Sequence, residues 1–462
     1  MTCTTAARPH PAPAPTVDPV VHDVVAIGLG PFNLGLAALA EPVDGLDLVV
    51  LERAEEFRWH PGLMIEGTTL QVPFLADLVT LADPTSRWSF LNHLKAVGRL
   101  YPFYIRETFV PLRAEYDAYC RWVAARLPGL RFGHEVVDVT RRGHGADAVH
   151  EIVARRPGGE QVVVRGRHLV LGVGTEPVVP PALVGALAAL PGRVLHSADY
   201  LTHREALRSS AAVTVVGSGQ SAAEIYRDLL GGLDLATQRL DWLTRSPRFA
   251  PMEYAKLTLE LTSPDYTSYF HTLPQGERDR LGGQNRLLYK GISSRAVDEI
   301  FDLLYQRRVE LELAREHDAG LPATVPTLLR PASSLESVTE VSGRLRLSWR
   351  HTETGQGFAS ETDHVVLATG YAPRRPSFLE GLAGHLRLDD RGRLDVARDF
   401  TVDDAGLVLV QNAEEHTHGL SAPDLGMGPW RSAQIINQVT GREVYPVEDR
   451  IAFQTFGPQV AS

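Results

Sequence analysis

The sequence predicts an α/β protein of two Rossmann-like dinucleotide-binding domains, the second inserted in the first, with a small helical region for substrate. Three observations predict it. Val24-Val25-Ala26-Ile27-Gly28-Leu29-Gly30 is an apolar run that breaks at Gly-x-Gly before an Ala/Leu-rich segment. Ala212-Val213-Thr214-Val215-Val216-Gly217-Ser218-Gly219 repeats that layout. A further apolar strand over residues 364–369, ending in Gly370-Tyr371, reads as the return of the chain to the first unit. A buried parallel strand, a tight glycine turn and a helix N-terminus together cradle a pyrophosphate, through backbone N–H groups and the helix dipole.

In the first unit Gly28, Gly30 and Pro31 form the turn, and Asn33 stands where the fingerprint has Gly or Ala. The helix is expected over 34–40 and a second strand over 46–51. That strand ends at Glu52, about 20 residues on, where an acid takes the ribose hydroxyls of a dinucleotide. A loop-rich block over 57–84 carries Trp59, His60, Gly62, Gln71, Phe74 and Asp77. Helices are expected over 89–96 and 114–126. The second carries Tyr116, Tyr119, Cys120 and Val123, an i, i+3, i+4, i+7 stripe that reads as core. Strands follow at 136–140, 151–154, 161–164 and 168–173, then a proline-rich linker.

The second unit opens with Gly217, Gly219, Gln220, Ser221 and Ala222, a Gly-x-Gly-x-x-Ala turn, and a helix over 222–230. Its next strand, 239–244, ends in Arg245 with Arg248 nearby. An acid at this position suits a bare ribose and an arginine suits a 2′-phosphate. The first unit therefore reads as built for FAD and the second for NADPH. Residues 250–310 are aromatic-rich and helical. Strands resume at 345–349 and 407–411, and a helix over 429–439 closes the chain. The expected division is a disordered tail at 1–17, FAD domain at 18–205, NADPH domain at 206–362 with its helical substrate region at about 250–310, and FAD domain again at 363–462.

Composition sets outer limits. The chain has 462 residues and a net charge of −10, which argues against nucleic acid and anionic membranes as partners. Two cysteines, Cys3 and Cys120, allow no disulfide framework or redox CxxC, which fits a cytoplasmic location and excludes a disulfide reductase. There is no run of about 18 apolar residues, so no membrane-spanning helix is expected. His416 and His418 have HxH spacing, but no third ligand is evident, and no metal is expected.

Trp59-His60-Pro61-Gly62, Leu70-Gln71-Val72-Pro73-Phe74-Leu75-Ala76-Asp77, Asp83-Pro84-Thr85-Ser86, Gly217-Ser218-Gly219-Gln220-Ser221-Ala222, Ala368-Thr369-Gly370-Tyr371 and Asn412-Ala413-Glu414-Glu415-His416-Thr417-His418-Gly419 occur in this order. Together they resemble the N-hydroxylating flavin monooxygenases of siderophore biosynthesis, over about residues 23–456. Residues 190–196 partially resemble the fingerprint of the related Baeyer–Villiger enzymes, with Leu190 where that fingerprint has Phe.

The resemblance implies that NADPH reduces FAD, that reduced flavin adds O2 as a C4a-hydroperoxide, and that a primary amine takes the distal oxygen. No acid–base triad is then expected, because the cofactor carries the chemistry and the protein supplies position and polarity. Carried over residue by residue, Gly28, Gly30, Pro31, Asn33 and Glu52 hold FAD, with Trp59, His60, Gln71 and Gly370 around it. Gly217, Gly219, Gln220, Ser221, Arg245 and Tyr289 hold NADPH. Dimers or tetramers are implied by the family alone.

One departure concerns the substrate. Amino-acid hydroxylases of this family carry Lys where this chain has Ala76, and that Lys pairs with the substrate carboxylate. The resemblance also sets Gln71 at the substrate, and a second family contact falls near Leu259. A buried carboxylate left without its cation costs a few kcal/mol. The expected substrate is therefore a small aliphatic diamine: putrescine, cadaverine or 1,3-diaminopropane. The motifs around Ala76, Tyr289 and Asp424 also resemble the diamine-hydroxylating members. By family analogy, the reacting amine donates to a carbonyl near Leu420. For the far ammonium, Asp77, Glu260 and Asp424 are the candidates. Two alternatives stay open: lysine N6-hydroxylation, with Lys256 or Lys290 taking the carboxylate, and a non-catalytic flavin- and NADPH-binding protein.

Overall fold

The computed structural model describes residues 15–458, the side chains of Ala146 and Leu287 excepted. Most of the expected disordered tail, residues 1–14, lies outside the described residues. Its last residues, Thr16 and Val17, open a strand.

The first sheet contains β1 (Thr16–Ile27), β2 (Leu48–Leu51), β3 (Leu130–Arg131), β4 (Glu135–Arg142), β5 (Val149–Arg155) and β6 (Gln161–Leu171), in the order β3-β2-β1-β6-β5-β4. β1 runs parallel to β2 and β6, whereas β4, β5 and β6 form an antiparallel meander. Val24, Val25, Ala26 and Ile27 are all buried, because helices cover one face and a second apolar layer the other. That two-sided burial is why the strand reads as a continuous apolar run. The strands expected at 161–164 and 168–173 are one strand. Gly166 does not break it, since the backbone there lies so close to β1 that a Cβ would come within 2.5 Å of Val25 Cγ2.

A short pair, β7 (Thr175–Pro177) with β16 (Tyr371–Pro373), stands at the crossing between units. The second sheet uses β8 (Val194–His196), β9 (Ala212–Val216), β10 (Arg239–Leu243), β11 (Thr327–Arg330) and β15 (His364–Leu367), all parallel, in the order β11-β10-β9-β15-β8. The antiparallel trio β12 (Ser333–Val341), β13 (Arg344–His351) and β14 (Gly357–Thr362) lies between β11 and β15 in sequence.

Two expectations about the crossing need correction. The strand at 364–369 does not rejoin the first unit; it pairs with β9 and β8 inside the second sheet. The return is made by β17 (Val408–Val410), which pairs with β6. β8 also belongs to the second sheet, although it precedes residue 206. An apolar run shows that a strand is buried but not which parallel neighbour it takes.

The helices Pro31–Ala40, Arg113–Ala124 and Met427–Thr440 share one core, and the stripe Tyr116, Tyr119, Cys120 and Val123 lies within it. A helix at Leu100–Ile105 was not foreseen; it exposes Tyr101, Tyr104 and Ile105, so its apolar residues trace no buried stripe. The 250–310 region is helical, ending in the 22-residue helix Ser294–Arg315. Among the described residues no helix is long and apolar enough to cross a membrane.

Candidate active site

The first glycine turn lies where β1 ends. Gly28 has φ +87°, and a Cβ there would sit 2.6 Å from the Gly172 carbonyl oxygen. Gly30 caps the helix Pro31–Ala40 without a side-chain hydrogen bond, and a Cβ on it would meet nothing within 4 Å. The space beside this helix N-terminus is thus open at Gly30, as a bound pyrophosphate needs. Glu52, at the end of β2, accepts hydrogen bonds from the N–H of Leu29 at 2.6 Å and of Ala54 at 2.8 Å. Those bonds hold its carboxylate beside the turn.

Asn33 accounts for its own departure from the fingerprint. Its buried amide donates to the carbonyls of Gly28 at 2.7 Å and Ile27 at 3.2 Å, bracing the turn from inside.

Trp59 and His60 sit at the junction of the units. Their rings are 5.2 Å apart; Trp59 also lies 5.1 Å from Tyr116 and His60 6.1 Å from Tyr371. His60 has φ +46°. The residue is exposed by surface area, yet the density of protein around its ring, then Arg113, lowers its pKa. The next loop residue, Gly62, lies against Ala198 of the second unit so closely that any Cβ would overlap its carbonyl oxygen. Gln71 is half-buried in a loop whose neighbours Leu70 and Phe74 bond to Pro111 and Phe109. Gly370, at φ +93°, leads into Tyr371.

The second turn is built the same way. A Cβ on Gly217 would lie 2.3 Å from the Ala368 oxygen, and Gly219 caps the helix Gln220–Gly231 with no side-chain bond. Gln220 accepts from the Ser293 N–H and donates to Glu224, each at 2.8 Å, tying the turn to the helical region. Ser221 is half-buried in the first turn of that helix. Arg245 and Arg248 lie exposed just past β10. Tyr289 donates to Glu415, which also pairs with Lys290 at 3.6 Å.

At the far side of the first unit, Ala76 is buried and Asp424 half-buried. They flank one glycine: a Cβ on Gly426 would lie 3.0 Å from Asp424 Oδ1 and 3.7 Å from Ala76 Cβ, with Leu81 at 3.6 Å. Asp424 accepts from the Met427 N–H at 3.1 Å; burial raises its pKa, and burial first, then the Asp424 charge, raises that of Tyr254. The other two acids named for the far ammonium carry more hydrogen bonds. Asp77 is buried and accepts from Val79, Thr80 and Phe90. Glu260 accepts from the N–H groups of Phe453 and Gln454. Leu420 is buried in a short turn, and Pro423, three residues on, has no N–H to give its carbonyl. Leu259 is half-buried just before the turn Glu260–Thr262, which packs against Gly419–Ser421.

His416 and His418 turn inward: His416 Nε2 faces the Leu394 carbonyl at 2.8 Å, and His418 stacks on Phe400 at 4.8 Å. Among the described residues no group of three His, Cys, Asp or Glu side chains could hold a metal. Sequence reasoning missed Tyr254 and Arg431 as site residues. The signal for Arg431 was there: one arginine inside the apolar start of the closing helix, Met427-Gly428-Pro429-Trp430-Arg431.

Two glycine turns at helix N-termini, the first open and beside an acid, the second approached by the Lys290 carbonyl and followed by exposed arginines, fit FAD and NADPH. The sequence profile of the L-lysine 6-monooxygenase/L-ornithine 5-monooxygenase family matches residues 20–373. A putrescine N-hydroxylase of Shewanella oneidensis is 45% identical over 96% of this chain and 86% of its own length. A putrescine N-hydroxylase of Acinetobacter baumannii is 42% identical over 95% of this chain and 94% of its own. The FAD-bound crystal structure of the desferrioxamine-pathway cadaverine monooxygenase of Erwinia amylovora superposes with a TM-score of 0.89 at 42% identity, over 96% of this chain and all of that one. The chain belongs to the L-lysine 6-monooxygenase/L-ornithine 5-monooxygenase family and is an FAD- and NADPH-dependent N-hydroxylating monooxygenase.

Proposed function

We propose that the chain N-hydroxylates one primary amine of a short aliphatic diamine, putrescine, cadaverine or 1,3-diaminopropane, for hydroxamate siderophore biosynthesis. The single observation that carries the choice of diamine over amino acid is the pairing of Ala76 with Asp424 around Gly426. No cation is present at position 76 to meet a carboxylate, and an acid faces the same space. Asp424 holds the ammonium that does not react. Burial raises the Asp424 pKa, and an ammonium bound beside it would favour the ionised carboxylate.

FAD, reduced by NADPH, supplies the activated oxygen from O2. The chain has three tasks around it. The turns at Gly28, Gly30, Pro31 and Asn33, with Glu52, hold FAD, while Trp59, His60, Gln71 and Gly370 close the space beside it. The turn at Gly217, Gly219, Gln220 and Ser221 holds NADPH, with Arg245 on its 2′-phosphate and Tyr289 beside it. The reacting amine must be neutral, yet an alkyl ammonium has a pKa of about 10.4. The apolar side chains of Leu259 and Leu420 disfavour its charged form, and the Leu420 carbonyl accepts one of its N–H groups. The enzyme works in the cytoplasm as a homo-oligomer; the cysteine usage supports the first and the family resemblance the second.

The test is hydroxylamine formed from putrescine, cadaverine, 1,3-diaminopropane, L-lysine and L-ornithine with NADPH, FAD and O2. Product from one or more diamines, with little from the amino acids, is expected. Product mainly from lysine overturns the substrate reading. No product from any amine by the FAD-loaded protein overturns the catalytic one.

A further inference from the structure

A chain of buried polar side chains runs from the first glycine turn to the segment carrying Leu420 and Asp424. Asn33 Nδ2 donates to the Gly28 carbonyl at 2.7 Å, and Asn33 Oδ1 accepts from Gln411 Nε2 at 2.8 Å. Gln411 Oε1 accepts from Arg431 Nε at 3.4 Å. Arg431 Nη1 donates to the Ala422 carbonyl at 3.1 Å and to Glu414. Every side chain in the path is buried, and Arg431, although charged, is 2% exposed. Its guanidinium also lies 4.5 Å from the Phe32 ring, in the first turn of the helix that Gly30 caps. Arg431 therefore touches both ends, Phe32 at the cofactor turn and Ala422 between Leu420 and Asp424.

A buried arginine is costly unless its donors are used and its charge is met. Glu414 meets the charge. The bonds from Nε and Nη1 fall on residues that belong to two different tasks, while Nη2 has no hydrogen-bond partner among the described residues. Core packing alone does not ask for an ionised group here, because a well-packed apolar residue of similar volume does as well or better. What the guanidinium adds is a fork of donors in fixed geometry. That fork sets the distance between the 419–424 segment and the glycine turn.

We propose that Arg431 is a positioning residue: it fixes the amine-binding segment in register with the FAD-binding turn, through Gln411 and Asn33 on one side and Ala422 on the other. The proposal rests on the reading of Leu420 and Asp424 as amine contacts. An error of register at this distance leaves the flavin reducible but presents the amine badly. The result is oxygen activation without transfer, so the oxygen leaves as hydrogen peroxide.

Arg431→Lys keeps a cation for Glu414 but loses the fork. It is compared with wild type using whichever amine wild type hydroxylates, so a failure of the diamine reading shows in the wild-type panel and not in this comparison. Expected are bound FAD as in wild type, unchanged anaerobic flavin reduction by NADPH, an amine KM raised about tenfold and a larger share of NADPH consumed as peroxide; tenfold is the weight of one charge-assisted bond. Gln411→Asn, one methylene shorter, breaks the middle link and is expected to shift KM and peroxide in the same direction. A folded Arg431→Lys enzyme with wild-type KM and peroxide yield overturns the proposal. If that variant does not fold, an unchanged KM in Gln411→Asn overturns it. A lowered melting temperature with neither readout moved assigns Arg431 to stability alone and likewise overturns it.

Discussion

Arg113, the first residue of its helix in the FAD-side unit, donates from Nη1 to Glu224 Oε2 at 2.6 Å, and Glu224 lies on the helix that opens the second unit. The Glu224 side chain is 3% exposed and is also bonded by Gln220 of the second glycine turn. This ion pair therefore links the two nucleotide-binding units beside His60. Arg113→Ala leaves a buried carboxylate without its cation, a loss of about 3 kcal/mol. A lower melting temperature is expected, with Glu224→Gln milder because an amide oxygen still accepts from Arg113. Arg113 also helps depress the His60 pKa, after burial. Its removal should raise that pKa towards the ordinary value without reaching it, as read by histidine NMR. An unchanged His60 titration removes Arg113 from that site.

Asp424 and Ala76 give the sharpest substrate test. Asp424→Asn removes the charge and keeps the shape. For a diamine, KM should rise on the order of 100-fold, within the range for truncating one partner of a buried charge pair. A monoamine of equal length, which has no second ammonium, should be indifferent. Ala76→Lys places an ammonium where the diamine's own would lie, next to Asp424. It should act as a tethered competitor and suppress diamine turnover. In the double variant Ala76→Lys/Asp424→Asn that lysine is free for a carboxylate, and the lysine-to-diamine ratio should rise. A ratio unmoved by both variants refutes the carboxylate argument.

The parts legible in the sequence were those with local causes. The strands of both glycine turns announced themselves by two-sided burial, the turns by glycines where a Cβ has no room, and Glu52 by its distance from the first turn. Partner choice was not legible. Residues 364–369 and 407–411 are similar apolar runs, and only the second pairs with β6. Asn33 looked like an imperfect match because its partner Gln411 is 378 positions away. The three acids named for the far ammonium could not be ranked from sequence, since what separates them is how many backbone N–H groups hold the carboxylate in hydrogen bonds: those of three residues at Asp77, of two at Glu260 and of Met427 alone at Asp424.

Arg245 tests the reading of the second turn. It is exposed just beyond Leu243, where a 2′-phosphate would lie, and Arg248 is exposed nearby. Arg245→Ala should raise the KM for NADPH by about tenfold to 100-fold, the loss of one or two charge-assisted bonds to phosphate. The KM for NADH, which lacks that phosphate, should stay where it is. Equal losses for both cofactors would show that Arg245 acts elsewhere.

His150 should make the fold acid-sensitive in a defined window. The ring is fully buried on β5 and held neutral from both sides. Nδ1 donates to the Arg167 carbonyl at 3.0 Å, and Nε2 accepts from Arg141 Nε at 3.2 Å. Burial first, then Arg141, lowers its pKa to about 4. In the unfolded chain the same group titrates near the ordinary value of about 6.5. Below that value the unfolded state binds a proton that the native state refuses, so stability is intact above pH 6.5 and falls as pH drops towards 4. The loss from this one residue is about 3 kcal/mol across the window. His150→Gln offers a donor to Arg167 and an acceptor to Arg141 but cannot titrate. Its denaturant midpoint should fall less steeply than wild type between pH 6.5 and 4, with a residual slope from other buried histidines such as His418. Matching slopes for the two proteins would show that His150 takes its proton as readily in the folded state as in the unfolded one.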